Sequence, residues 1–182
     1  MIFFFLLLLL VSIAQVAEFF IPPLPWLYYA HVYIVPVIVF SGAVMLPFPL
    51  MLALVLYAGL LLDALTAQVL GARVEISVGS SILIYAVLAG IMHGLRPLFV
   101  RGRWEVHCVL SGICTSAIIL AQYLMISFRR GSIFFTPQVW WQIGGPGLVA
   151  MVISLPAFAM LHWLARATGY RYLPETNRYR YE

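Results

Sequence analysis

Lysine is missing from this chain. Its ten basic residues are all arginine, against six acids, and charged residues fill only 9% of its 182 positions, where a soluble domain carries about 25%. The absence removes a P-loop lysine and a Schiff-base lysine at once. Cysteine is nearly as scarce. Cys108 and Cys114 are placed on different faces of a helix by their spacing; they fit neither a CxxC redox pair nor a zinc site and read as small packing residues. The start, Met1-Ile2-Phe3-Phe4-Phe5, has no basic stretch, and Ala17-Glu18-Phe19-Phe20 offers no small-x-small cleavage site. The first apolar run therefore reads as a retained span.

What the chain has is apolar sequence, 64% of it. Six stretches are separated by turn or charge signals: about 2–17, 30–45, 50–65, 76–95, 106–128 and 138–164. Pro22-Pro23-Leu24-Pro25 ends the first and Pro47-Phe48-Pro49 the second, since neither can continue a helix. This predicts an all-α polytopic membrane protein: six transmembrane helices in one compact bundle, a single domain over 1–182, with a short Arg/Tyr tail from 166 to 182. The second and third stretches are short for a span of about 20 residues and could form a re-entrant pair. No internal repeat is visible. If both termini are cytoplasmic, seven arginines lie inside (96, 101, 103, 166, 171, 178 and 180) and three outside (73, 129 and 130), as the positive-inside rule requires. Trp26, Tyr28, Tyr29, Trp140 and Trp141 then form an outer aromatic belt, and Trp104 and Trp163 an inner one. A basic balance in such a chain reports topology and anionic lipid, not nucleic acid.

Between Glu18 and Arg73 the only formal charge is Asp63, set in Leu60-Leu61-Leu62-Asp63-Ala64-Leu65. A carboxylate at a transmembrane helix centre costs about 2.5–3.5 kcal/mol on insertion scales, so Asp63 should face protein, near the outer end of its span. Arg73 or the hydroxyls and backbone donors of neighbouring helices are its expected partners. Gly59, one turn earlier, and Gly71, eight residues later, allow close backbone approach. In the last stretch Thr136-Pro137 reads as a helix start. Gly144-Gly145-Pro146-Gly147 then allows an unwound or a closely packed backbone, and Pro156 a second kink.

Catalytic constellations are scarce. An intramembrane aspartyl protease needs two carboxylates sharing a site, and Glu18 lies close to a span end. Ser77, Ser80, Ser81, Ser111, Thr115 and Ser116 have no G-x-S-x-G context. His93 and His107, with only Glu105 near them in sequence, are a poor metal set, and His31 and His162 read as interfacial polar tips. No cofactor, metal or enzymatic turnover is expected.

The motif from Leu46-Pro47 through Gly59-Leu60-Leu61-Leu62-Asp63 to Leu70-Gly71-Ala72-Arg73 resembles the rod shape-determining protein MreD family. Tyr85, Arg96, Thr136-Pro137, Trp140-Trp141 and Leu155-Pro156 resemble it further along. The likeness covers roughly 30–166. The first, proline-rich loop, the Gly144–Gly147 segment and the Arg/Tyr tail are not features of that family. The resemblance implies a non-enzymatic scaffold of the cell-wall elongation machinery in the bacterial inner membrane. Its implied partners are membrane lipid, an MreC-like bitopic protein, and further RodA, its transpeptidase and the actin-like MreB. Such six-helix bundles also resemble the vitamin-binding subunits of energy-coupling transporters, which supplies the alternative reading. Against it stand a first span without an Ala-rich docking face and an outer loop, 129–136, too short for a lid.

Overall fold

A computed structural model describes the chain except residues 26–29, 67–68, 71–72, 75–78, 98–103, 132–135 and 171–182. The described residues form six helices: α1 (Ile2–Phe20), α2 (Val35–Met45), α3 (Phe48–Thr66), α4 (Ser80–Gly94), α5 (Trp104–Arg130) and α6 (Pro137–Ala167). Between α3 and α4 a two-residue antiparallel ladder pairs Val69 with Val74 and Leu70 with Arg73.

Four helices (α1, α3, α5 and α6) are long and apolar enough to cross a membrane. The other two are shorter than the six-span expectation: 11 residues in α2 and 15 in α4, about 16 and 22 Å at 1.5 Å per residue. The second apolar stretch was expected to be helical from about residue 30. Its helix starts five residues later, because a carboxylate of α1 takes the backbone N–H groups of Ile34 and Val35 and fixes the start there, with Pro36 in the first turn. The sixth stretch runs the other way, past its expected end to Ala167. Its 31 residues make about 46 Å, well over the roughly 30 Å of bilayer hydrocarbon.

Every residue of α2 is buried, the condition in which a helix can be apolar all round. It lies at the centre and packs against all five other helices. The outer helices instead carry apolar stripes at helical spacing: Ile2, Phe5, Leu9, Ile13 and Val16 on α1; Phe48, Leu52, Leu56 and Leu60 on α3; Leu83, Val87 and Ile91 on α4. Exposed stripes of that size on every peripheral helix are a lipid-facing belt. The chain is a helical membrane bundle.

Glycines set the closest crossings. A Cβ on Gly59 would lie 2.7 Å from the Ile82 Cα and 2.9 Å from its N, so α3 and α4 touch backbone to backbone there. Gly112 and Gly147 meet similarly: a Cβ on either would come within 2.7–2.8 Å of the other's carbonyl oxygen.

An offset of 45 residues carries Ser12 to Tyr57, and those two residues are hydrogen-bonded at 2.6 Å. The same offset carries Phe40 to Tyr85, whose rings lie 6.2 Å apart, and Glu18 to Asp63. It also takes α1 to α3 and the start of α2 to the start of α4.

Candidate functional site

Asp63 lies in the last turn of α3, and its side chain is only 2% exposed. The neighbouring Leu60 and Ala64 take the outer face, while Leu62 turns inward. One carboxylate oxygen, Oδ2, accepts the backbone N–H of Gly79 at 2.5 Å. Gly79 is the residue that caps α4, held at φ 101° in the left-handed region where glycine is at ease. No side-chain cap within α4 serves that terminus. The carboxylate of α3 therefore supplies both a hydrogen bond and a negative charge to the positive end of the next helix. Among the described residues, the second oxygen, Oδ1, is buried without a hydrogen-bond partner.

Glu18 does the same for α2. From the last turn of α1 its Oε1 accepts the N–H of Val35 at 2.5 Å and that of Ile34. In both cases the acid precedes the first N–H it binds by sixteen residues. Each acid lies in the last turn of its helix, Glu18 in α1 and Asp63 in α3. Tyr33, in the segment before α2, is held above the usual phenol range by burial and, secondarily, by the Glu18 charge. The role of Glu18 was missed in the sequence. The signal that could have found it is the acid four residues before a helix-ending proline cluster and sixteen before the N-cap of the next helix.

The other singled-out positions fall in three groups. Gly59 is buried against α4 and Gly147 against α5, so both are used inside the bundle. Gly145 and Pro146 are buried in an uninterrupted α6; the segment is packed, not unwound. Proline removes one intrahelical bond, and the close seating of Gly147 on Gly112 and Ser116 holds the helix across that gap. Gly144 is different: a Cβ there would meet nothing within 4 Å. It lines a cleft of about 480 Å³ with Trp140 and Trp141. Pro156 is exposed on α6. Gly71 lies outside the described residues, as do Trp26, Tyr28, Tyr29, Arg101, Arg103 and the tail from 171; of Arg73 only the backbone pairing is described. The expected Asp63–Arg73 contact is therefore outside the described residues too.

A second polar centre joins α2 to α5. Ser41 donates its hydroxyl to the Val37 carbonyl at 2.8 Å and lies 2.9 Å from His107 Nε2. A serine hydroxyl has one hydrogen. That hydrogen is committed to Val37, so His107 donates Nε2–H to Ser41. His107 is 1% exposed and its ring packs on Phe158 at 4.7 Å. Further along, Thr115 returns its hydroxyl to the Ser111 carbonyl and Ser154 to that of Met151. These serve the helices' own backbone, as membrane hydroxyls commonly do. Among the described residues no three His, Cys, Asp or Glu side chains converge on a metal-sized site.

Comparisons with known proteins returned nothing: no family model, no curated protein and no solved structure matches the chain.

Proposed function

We propose that this chain is a membrane adaptor without turnover of its own, an MreD-like component that holds an MreC-like bitopic partner within the cell-wall elongation machinery of a bacterial inner membrane. The resemblance around Gly59 and Asp63 motivates the reading, and the use of the two carboxylates, Asp63 buried and Glu18 half-buried, supports it. Glu18 and Asp63 each spend an oxygen on the N-terminus of the following helix. A general acid or base must be free to exchange its proton with a substrate; a capping carboxylate is a rigid internal strut.

The partner surface in this reading is the open side of α6. Gly59 and Asp63 face α4 and Gly147 faces α5, which leaves Gly144, with free space above it, for a helix of another chain. Small residues let backbones approach where lipid offers little hydrophobic drive for association. The test is co-purification of the bitopic partner with Gly144→Leu and Gly59→Leu. Gly144→Leu should express and stay monodisperse but lose the partner, whereas Gly59→Leu should lose the fold. Depletion in the native host should round rod-shaped cells. Normal rods on depletion, together with tight vitamin binding by the purified chain, would move the assignment to a transporter subunit.

A further inference from the structure

Two prolines lie inside α6, Pro146 and Pro156. A proline lacks the N–H that an α-helix directs to the carbonyl four residues earlier. Pro146 therefore frees the Gln142 carbonyl and Pro156 the Val152 carbonyl from their intrahelical donors. Gln142 lies in the second turn of the helix, where headgroups and water reach. Val152 has no such recourse. It is the midpoint of Pro137–Ala167, about 22 Å from either end. Hydrocarbon at that depth offers no donor, and a backbone acceptor left bare in it is costly.

The helix itself does not fill the gap. In the continuous α6 the N–H of Leu155 belongs to Met151 and that of Ala157 to Ile153. The nearby hydroxyl, Ser154, is buried and donates to the Met151 carbonyl at 2.7 Å. Val152 is 69% exposed and Pro156 is exposed, so the gap opens on the outer side of the bundle. That side is continuous with the Gly144 cleft. At about 100° per residue, Trp141, Gly144, Leu148, Val152 and Leu155 share one arc of roughly 80°. The cleft is bounded by Trp141, Gly144 and Leu148 on α6 and by Gly112 and Ile113 on α5. Val152 follows it one turn beyond Leu148, roughly 12 Å along the axis from Gly144.

The geometry points to a seat for one transmembrane helix that carries a hydrogen-bond donor, serine, threonine or asparagine, at its centre. Its backbone approaches over Gly144, and its donor meets the Val152 carbonyl. The inference rests on the adaptor reading of the Gly144 face and deepens it by naming what the partner helix must bring. Such side chains bond across helices in membranes. A lipid chain could cover the same stripe, but it has no donor to give, and a headgroup does not reach the bilayer centre. Pro156 is then a recognition device: it withholds an N–H from its own helix so that a second helix can supply one.

The probe is a pair of designed helices of leucine and alanine, about 20 residues long, alike except for serine or alanine at the central position. A central donor serves either orientation. Energy transfer in dioleoyl phosphatidylcholine vesicles reads their binding to the full chain labelled at its N-terminus. The serine helix should bind about three- to tenfold more tightly than its alanine twin, the range of interhelical hydrogen bonds in membranes. Pro156→Ala restores the missing N–H; it should raise the unfolding temperature of the bundle yet erase the serine preference. Gly144→Leu should weaken both helices, because it denies them approach. Equal affinity of the two helices for the wild type, or a serine preference that survives Pro156→Ala, would overturn the proposal. Binding of neither helix would do so too, leaving lipid as the cover of this face. The adaptor reading is judged separately, by whether native membranes yield a bitopic partner. A serine preference erased by Pro156→Ala would uphold the acceptor even where no such partner is found.

Discussion

Replacing Asp63 by alanine removes the acceptor for Gly79 N–H and leaves a donor at a half-buried helix start. Loss of an N-cap costs about 0.5–2 kcal/mol, and hydrogen bonds to charged groups are worth about 1.5–3 kcal/mol. Burial of Asp63 favours the upper part of these ranges, since little water reaches a side chain that is 2% exposed. Part of the loss is returned, because the alanine no longer carries a carboxylate in an apolar setting, at a helix end where that charge costs less than at the centre. A net loss of about 1.5–2 kcal/mol is expected, roughly a factor of 10–30 in a local opening equilibrium at 1.4 kcal/mol per tenfold. Asp63→Asn keeps an acceptor oxygen and should lose less than half of that. The assay is amide hydrogen exchange on the full chain in detergent, followed over the first turn of α4. Asp63→Ala should accelerate exchange of Gly79–Leu83 by about that factor, while the α5–α6 crossing stays protected. Unchanged protection at α4, or acceleration spread equally over all helices, would refute the capping argument.

Glu18→Ala should be the more damaging change, because it strips two N–H groups of α2, the helix on which all others pack; thermal unfolding of the two purified variants checks the order. Gly59→Ala forces a methyl against the Ile82 backbone at 2.7 Å and should cost about 1–3 kcal/mol through overpacking. Gly144→Ala, with nothing within 4 Å, should leave the unfolding temperature unchanged. Ser41→Ala removes the acceptor for His107 Nε2–H inside the bundle and should cost about 1–3 kcal/mol, visible as a lower unfolding temperature and a shifted imidazole NMR signal.

Much of the architecture was legible because lipid imposes a simple rule on composition. Long apolar runs gave α1, α3, α5 and α6 nearly to their ends, and the proline clusters marked the turns after α1 and α2 correctly. The start of α2 was only half legible: Pro36 belongs in a first turn, but the acceptor that takes the N–H groups there is Glu18, a residue of another helix. Asp63 could be recognised as a buried charge and backbone donors of neighbouring helices as candidate partners, but not which donor: a backbone N–H sixteen residues away has no side-chain signature. The glycines show the same limit. Gly59, Gly144 and Gly147 look alike in sequence, and only packing separates the two consumed by internal crossings from the one left open. Helix continuity through Gly144-Gly145-Pro146-Gly147 likewise depends on Gly112 and Ser116 of α5, which hold the segment from outside.

The adaptor reading is tested most directly by affinity purification of the tagged chain from native membranes in mild detergent, wild type beside Gly144→Leu. The account predicts an MreC-like bitopic protein recovered with the wild type at comparable stoichiometry, and absent from a variant that remains folded and monodisperse. A wild-type bundle recovered intact with no such partner would contradict it, as would a partner retained undiminished by Gly144→Leu.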